Sequence, residues 1–111
     1  MMAPDDPEAR SMYFFIRAHK ARFPKNPRVG FTATKRTFKF ATDRNRAKRL
    51  LRDWVRFHAN LMHNMFDYVF IARVPILGAT RDQGRLAMEK ALRHITNKYV
   101  PKKKRKNVKN S

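Results

Sequence analysis

The stretch RNRAKRLLRDWVRFH, residues 44–58, is where the rhythm of this chain changes. Before it, apolar residues alternate; within it, they return every three or four positions. At about 100° per residue, Ala47, Leu50, Leu51, Trp54, Val55 and His58 gather on one side of a helix. Asn45, Lys48, Arg49, Arg52 and Arg56 gather on the other. Thr42 or Asp43 is placed to cap its start. A helix with so bulky an apolar side needs a surface to lie on, and the flanking segments read as strands that supply it.

On the N-terminal side, MYFFIRAH (12–19) is β-rich, with Tyr13, Phe15 and Arg17 on one face and Phe14, Ile16 and Ala18 on the other. FPKNP (23–27) is turn chemistry. A second strand follows over 28–35, with Val29, Phe31 and Ala33 inward and Gly30, Thr32 and Thr34 opposite. The simplest connection is a hairpin between these two strands.

On the C-terminal side, FDYVFIAR (66–73) is apolar on both faces, as a central strand is, and Pro75 and Gly78 close it. A last helix is predicted over 81–98, with Leu86, Met88, Ala91, Leu92, Ile95 and Tyr99 as its apolar side and Pro101 as its stop. The order β-β-α-β-α gives an α+β fold, a small single-domain sandwich of one sheet with helices packed on it. Residues 1–10 read as a flexible polar leader, 11–99 as the domain, and 100–111 as a basic disordered tail.

Composition narrows the partner. The 111 residues hold 27 Lys+Arg against 8 Asp+Glu, a net charge of +19, yet 42% are hydrophobic, too many for a purely disordered basic tail. Nucleic acid is the commonest polyanion for such a chain, and an anionic membrane surface the lesser one. The charge is clustered: nine bases fall between Lys35 and Arg56, six form the terminal arm, and three of the eight acids fall within the first eight residues. There is no cysteine, so disulfides and thiolate metal sites are excluded. No run is long and apolar enough to span a membrane and no signal pattern opens the chain, so cytoplasm is the default.

Catalytic chemistry is thin. His19, His58, His63 and His94 are scattered without ligand spacing, and His58 reads as a packed residue at the core edge. No carboxylate pair suits acid–base work or metal binding, and no glycine-rich phosphate loop is present. The expectation is no catalytic residue and no metal ligand on the protein. The cationic helix is the stronger signal, because an ordinary exposed face mixes its charges and here only Asp53 interrupts the bases. Phe14, Phe15 and Phe31 could stack on bases, although aromatic strand residues more often fill a core.

Three segments taken together, RVGFTATKR (28–36), RNRAKRLLRDWVR (44–56) and DYVFIAR (67–73), resemble the protein subunit of bacterial ribonuclease P. They stand in that family's order and spacing, and the arginine-asparagine-arginine helix is its hallmark. The match covers roughly 12–98. The resemblance implies a ribonuclease P protein-like fold, also seen in the second domain of ribosomal protein S5. In it, neighbouring parallel strands, here 28–35 and 66–73, are joined through the helix by a left-handed crossover. It also implies an accessory subunit of an endoribonuclease whose catalyst is an RNA using bound Mg²⁺ to remove the 5′ leader of precursor tRNA. The implied partners are that RNA and the precursor tRNA, with no membrane and no small-molecule substrate.

Carried over by position, Arg44, Asn45, Arg46, Lys48, Arg49 and Arg52 match the signature helix that faces RNA. Lys35 and Arg36 match the basic end of the preceding strand, and Lys39 and Arg56 extend the same basic run. A leader cleft on the sheet face would use Thr32, Thr34 and Tyr13 or Arg17, according to which face looks outward. One departure is that family members usually begin with an aromatic-bearing helix, whereas only MMAPDDPEAR precedes Ser11. The competing reading is a structural ribosomal-type RNA-binding protein with no part in cleavage.

Overall fold

The computed structural model describes residues 7–23 and 28–99, the side chain of residue 99 excepted. The tail at 100–111, the first six residues of the leader and residues 24–27 of the expected turn lie outside that range, as does Tyr99's place on the apolar side. Four strands, β1 (Glu8–Arg10), β2 (Phe14–Lys20), β3 (Val29–Thr32) and β4 (Phe66–Ala72), form one sheet. Two helices, α1 (Ala41–Phe57) and α2 (Arg81–Tyr99), pack against it, and short 3₁₀ turns at Ala59–Leu61 and Val74–Gly78 flank β4. No helix among the described residues is long and apolar enough to cross a membrane.

The strand order is β1-β2-β4-β3. β4 pairs antiparallel with β2 and parallel with β3, so the chain leaves β3, passes through α1 and returns beside it. This corrects the expected β2–β3 hairpin. β4 buries every second residue completely or nearly so and keeps the others half-covered, so it takes the interior slot. β3 has Gly30 and a largely exposed Val29, and it occupies an edge. It is also shorter than predicted, because the Thr34 hydroxyl accepts the Thr37 N–H and the Thr34 carbonyl accepts the Phe38 N–H, turning the chain away.

The leader is corrected as well: residues 8–10 are an edge strand. Glu, Ala and Arg are poor strand formers, and the strand exists through tertiary contacts that override local preference. Pro7 accepts the Ala18 N–H at 2.9 Å, Ser11 donates to Phe14 at 2.9 Å, and Ala9 is buried.

Alternation in β2 is as expected, with Phe14, Ile16 and Ala18 fully buried. Tyr68, Phe70 and Ala72 of β4 join them, together with Ala47, Leu51, Trp54 and Val55 of α1 and Met88, Ala91, Leu92 and Ile95 of α2. Two details of the helices differ from the expectation. α1 starts a residue before Thr42, with Phe40 at the cap position and no side-chain cap; Asp43 instead lies in the first turn, where a negative charge suits the helix dipole. Leu86 is 52% exposed rather than buried. The buried stripe of α2 begins one step earlier, at Gly84, where a Cβ would overlap the Cε2 and Cζ2 atoms of Trp54. This close approach seats the indole between the two helices, with Tyr13 and Phe14 at 6.0 and 6.1 Å on its sheet side.

Candidate nucleic-acid interface

The apolar side of α1 fixes where its other side points. With Ala47, Leu51, Trp54 and Val55 buried, Asn45, Arg49, Arg52 and Arg56 are all exposed. Their spacing of i, i+4, i+7 and i+11 makes them one stripe, about 16 Å long at 1.5 Å per residue. Arg46 is exposed beside the stripe and Lys48 is half-buried along the flank. Lys35, Arg36 and Lys39 are exposed in the turn that feeds the helix, which the Thr34 and Thr37 hydroxyls brace at 3.0 Å.

Two arginines have intramolecular roles. Arg44 is half-buried and donates to the Phe38 and Lys39 carbonyls at 2.9 and 3.1 Å, tying the entering turn to the helix. Arg52 lies over the Phe31 ring at 5.6 Å, which aims its guanidinium along the β3 edge. Asp53, the one acid that interrupts the run, faces α2 and pairs with Arg85 at 3.3 Å. Arg85 also covers the Phe57 ring at 3.9 Å, and its carbonyl contacts His58 Nε2 at 2.8 Å, so His58 is the packed residue its position suggested. The carboxylate therefore serves the interhelical contact, and among the described residues no arginine of the stripe forms an ion pair. Close cations in that state favour a polyanion over solvent alone.

A second surface is the sheet face turned away from the helices. Register places Phe15 opposite Ile71, Arg17 opposite Val69, and Thr32 beside Ile71. Arg17 and Thr32 are therefore on this open face, as a sheet cleft requires. Tyr13 and Thr34 are not. Tyr13 turns toward the helices and packs on Trp54, and Thr34 lies beyond the end of β3 with its hydroxyl engaged in the turn.

Phe15, Arg10 and Arg73 also come together on this face. The two guanidiniums lie 5.2 and 5.0 Å from the Phe15 ring centroid, and Arg73 is also held by the Ser11 carbonyl at 3.0 Å. Alternation in β2 already grouped Phe15 with Arg17, but Arg10 became visible only with the unrecognised strand β1. Phe14 is core, and Phe31 stacks on Phe70 at 5.6 Å, so of the three strand phenylalanines only Phe15 is available to a ligand here. Among the described residues no three His, Asp or Glu side chains gather to hold a metal ion.

These features define a class: a small, strongly basic α+β protein that offers a cationic helix and an open, partly aromatic sheet face. Comparison with known proteins takes this one step further. The sequence model of the Ribonuclease P family matches residues 5–96, and the chain belongs to that family. It is 40% identical over 82 residues to the ribonuclease P protein component of Brucella suis, covering 73% of this chain and 55% of that protein. The component from Sodalis glossinidius is 38% identical over 68 residues, covering 61% and 56%. The chain thus spans about half the length of the curated relatives it matches. Among solved structures, the RNase P protein of Thermotoga maritima superposes with a TM-score of 0.69 at 22% identity, covering 82% of this chain and 84% of that one. The Staphylococcus aureus RNase P protein gives 0.61 at 21% identity, covering 80% of each chain. Both likenesses are of fold.

Proposed function

We propose that this chain is the protein subunit of a ribonuclease P ribonucleoprotein, the endonuclease that removes the 5′ leader from precursor tRNA. In this reading the α1 stripe and the turn at Lys35, Arg36 and Lys39 bind the catalytic RNA. The open sheet face, with Arg17, Thr32, Phe15, Arg10 and Arg73, receives the single-stranded leader. Cleavage itself belongs to the RNA with its bound Mg²⁺, and the protein supplies affinity and charge neutralisation in the cytoplasm. The observation that carries this is the exposed arginine stripe, which forms no ion pair among the described residues, on a chain that belongs to the family.

The physics of the role is simple. Two RNAs repel, and guanidinium groups placed between their backbones lower that repulsion; arginine's planar fork binds phosphate in a bidentate way. If about six to eight phosphates are neutralised, log K falls with log salt with a slope of roughly −4 to −7. The sheet face positions the leader through phosphate and stacking contacts, which depend weakly on base identity.

The deciding experiment is reconstitution. The protein is added to a bacterial ribonuclease P RNA at low Mg²⁺, and cleavage of a precursor tRNA is followed. Stimulation of cleavage is expected. No stimulation, together with tight binding to ribosomal RNA, would replace this reading with the ribosomal one.

A further inference from the structure

A groove of about 590 Å³ runs between the edge strand β1 and α2, within the size range of sites that take small ligands. Arg10, Ser11 and Tyr13 line it from the sheet side, and Leu86, Lys90 and His94 from the helix side. No Asp or Glu is among its lining residues. Lys90 and His94, one helical turn apart, have no hydrogen-bond or ion-pair partner among the described residues, whereas neighbouring Glu89 is committed to Arg93 at 3.0 Å. Leu86 is the residue whose exposure departs from the sequence pattern, and the groove is where that exposure occurs. Tyr13 adds an aromatic ring fixed by its contact with Trp54.

We infer that this groove is a second RNA contact that takes one nucleotide of a single strand. The base lies against Leu86 and Tyr13, and the phosphate is met by Lys90 and His94. The inference rests on the reading of the chain as an RNA-binding subunit. It adds a site separate from the α1 stripe: α1 lies over β3 and β4, at the other edge of the sheet. Three strand spacings, about 14 Å, separate β1 from β3. Filling both sites needs either two RNA segments or one strand that rounds the sheet.

An acidic peptide is the rival occupant. A peptide added as a strand draws its affinity from a long row of free backbone groups, and β1 has only three residues. An apolar and aromatic lining beside unpaired cations suits a nucleotide better.

The test is an NMR titration of the isotope-labelled full chain with adenosine 5′-monophosphate, with inorganic phosphate and with an oligoglutamate peptide, each separately. The nucleotide should move the amide signals of Ser11, Leu86, Lys90 and His94, and phosphate should move only those of Lys90 and His94. With a labelled single-stranded RNA of about eight nucleotides, Lys90→Ala and His94→Ala should each weaken binding by roughly three- to tenfold. Lys90→Ala should also lower the salt slope by about one. Arg49→Ala, on the other site, should leave the nucleotide-induced shifts in the groove unchanged. Groove signals that ignore the nucleotide, or that move only with the peptide, overturn the inference. If cleavage is not stimulated while the nucleotide still fills the groove, the proposed function fails and the site stands. The opposite pair of results removes the site and keeps the function.

Discussion

The inner and outer sides of α1 lie half a turn apart and depend on opposite physics. The inner side is fully desolvated: Leu51 and Trp54 are 0% exposed, and the indole is pressed against a position of α2 that has no room for a side chain. The outer side keeps four polar or cationic residues in water, none of them in an ion pair among the described residues. Packing energy depends on shape and falls steeply with small changes of volume. The energy of the outer stripe depends on charge and salt, and it is realised only when a polyanion arrives. One helix can therefore carry stability and binding with little interference. The residues to watch are those at the boundary, Arg44 and Arg52, which do some of each.

Trp54→Ala should break the inner side most severely, with a loss of about 3–5 kcal/mol, read from denaturant unfolding. A near-wild-type transition would mean that the helix is seated differently. Gly84→Ala follows at about 1–3 kcal/mol, because the added methyl overlaps the indole. In a Trp54→Ala background that cost should largely vanish, since the two changes share one contact.

Arg44→Ala should cost about 1 kcal/mol through the two carbonyls it leaves, as well as weakening RNA binding; equal binding with reduced stability would make it purely structural. Tyr68 tests the sheet side of the core. Burial holds its phenol above the usual tyrosine range, and the His63 N–H that donates to it pulls the other way. The folded state then resists ionisation longer than the unfolded chain does. Stability should fall as pH rises above about 10, and Tyr68→Phe should flatten that fall. The smallest effect on folding belongs to Arg49→Ala, within about 0.5 kcal/mol, while the salt slope of RNA binding drops by about one. A change in melting without a change in slope would erase the distinction between the two sides.

Much of this was legible in the chain because periodicity reports burial directly. The α1 faces, the alternation of β2 and the interior character of β4 all follow from spacing alone. Strand order did not. A hairpin between β2 and β3 is favoured by closeness in sequence, whereas β4, the most apolar strand, pairs both of its edges and so comes between them. β1 escaped because Glu8, Ala9 and Arg10 carry no strand signal, and with it went the arginine pair around Phe15. Leu86 departs from the pattern for a related reason: Gly84, not a large residue, begins the buried stripe of α2. For the candidate site, exposure of the α1 stripe was readable from spacing. The inward turn of Tyr13 and the engagement of Arg44 with the Phe38 and Lys39 carbonyls depend on tertiary contacts that spacing does not contain.

The two outer strands have a consequence for how the protein behaves at high concentration. Free strand edges are templates on which further copies can add, and long flat ones invite aggregation. Here one edge is three residues long and opens directly after Pro7, which lacks the N–H a neighbouring strand would need. The other is four residues long, includes a glycine and is bracketed by Arg28 on one side and Lys35 and Arg36 on the other. Like charges at that border repel a second copy. The sheet can thus keep one whole face open to solvent and still avoid fibril-like self-association.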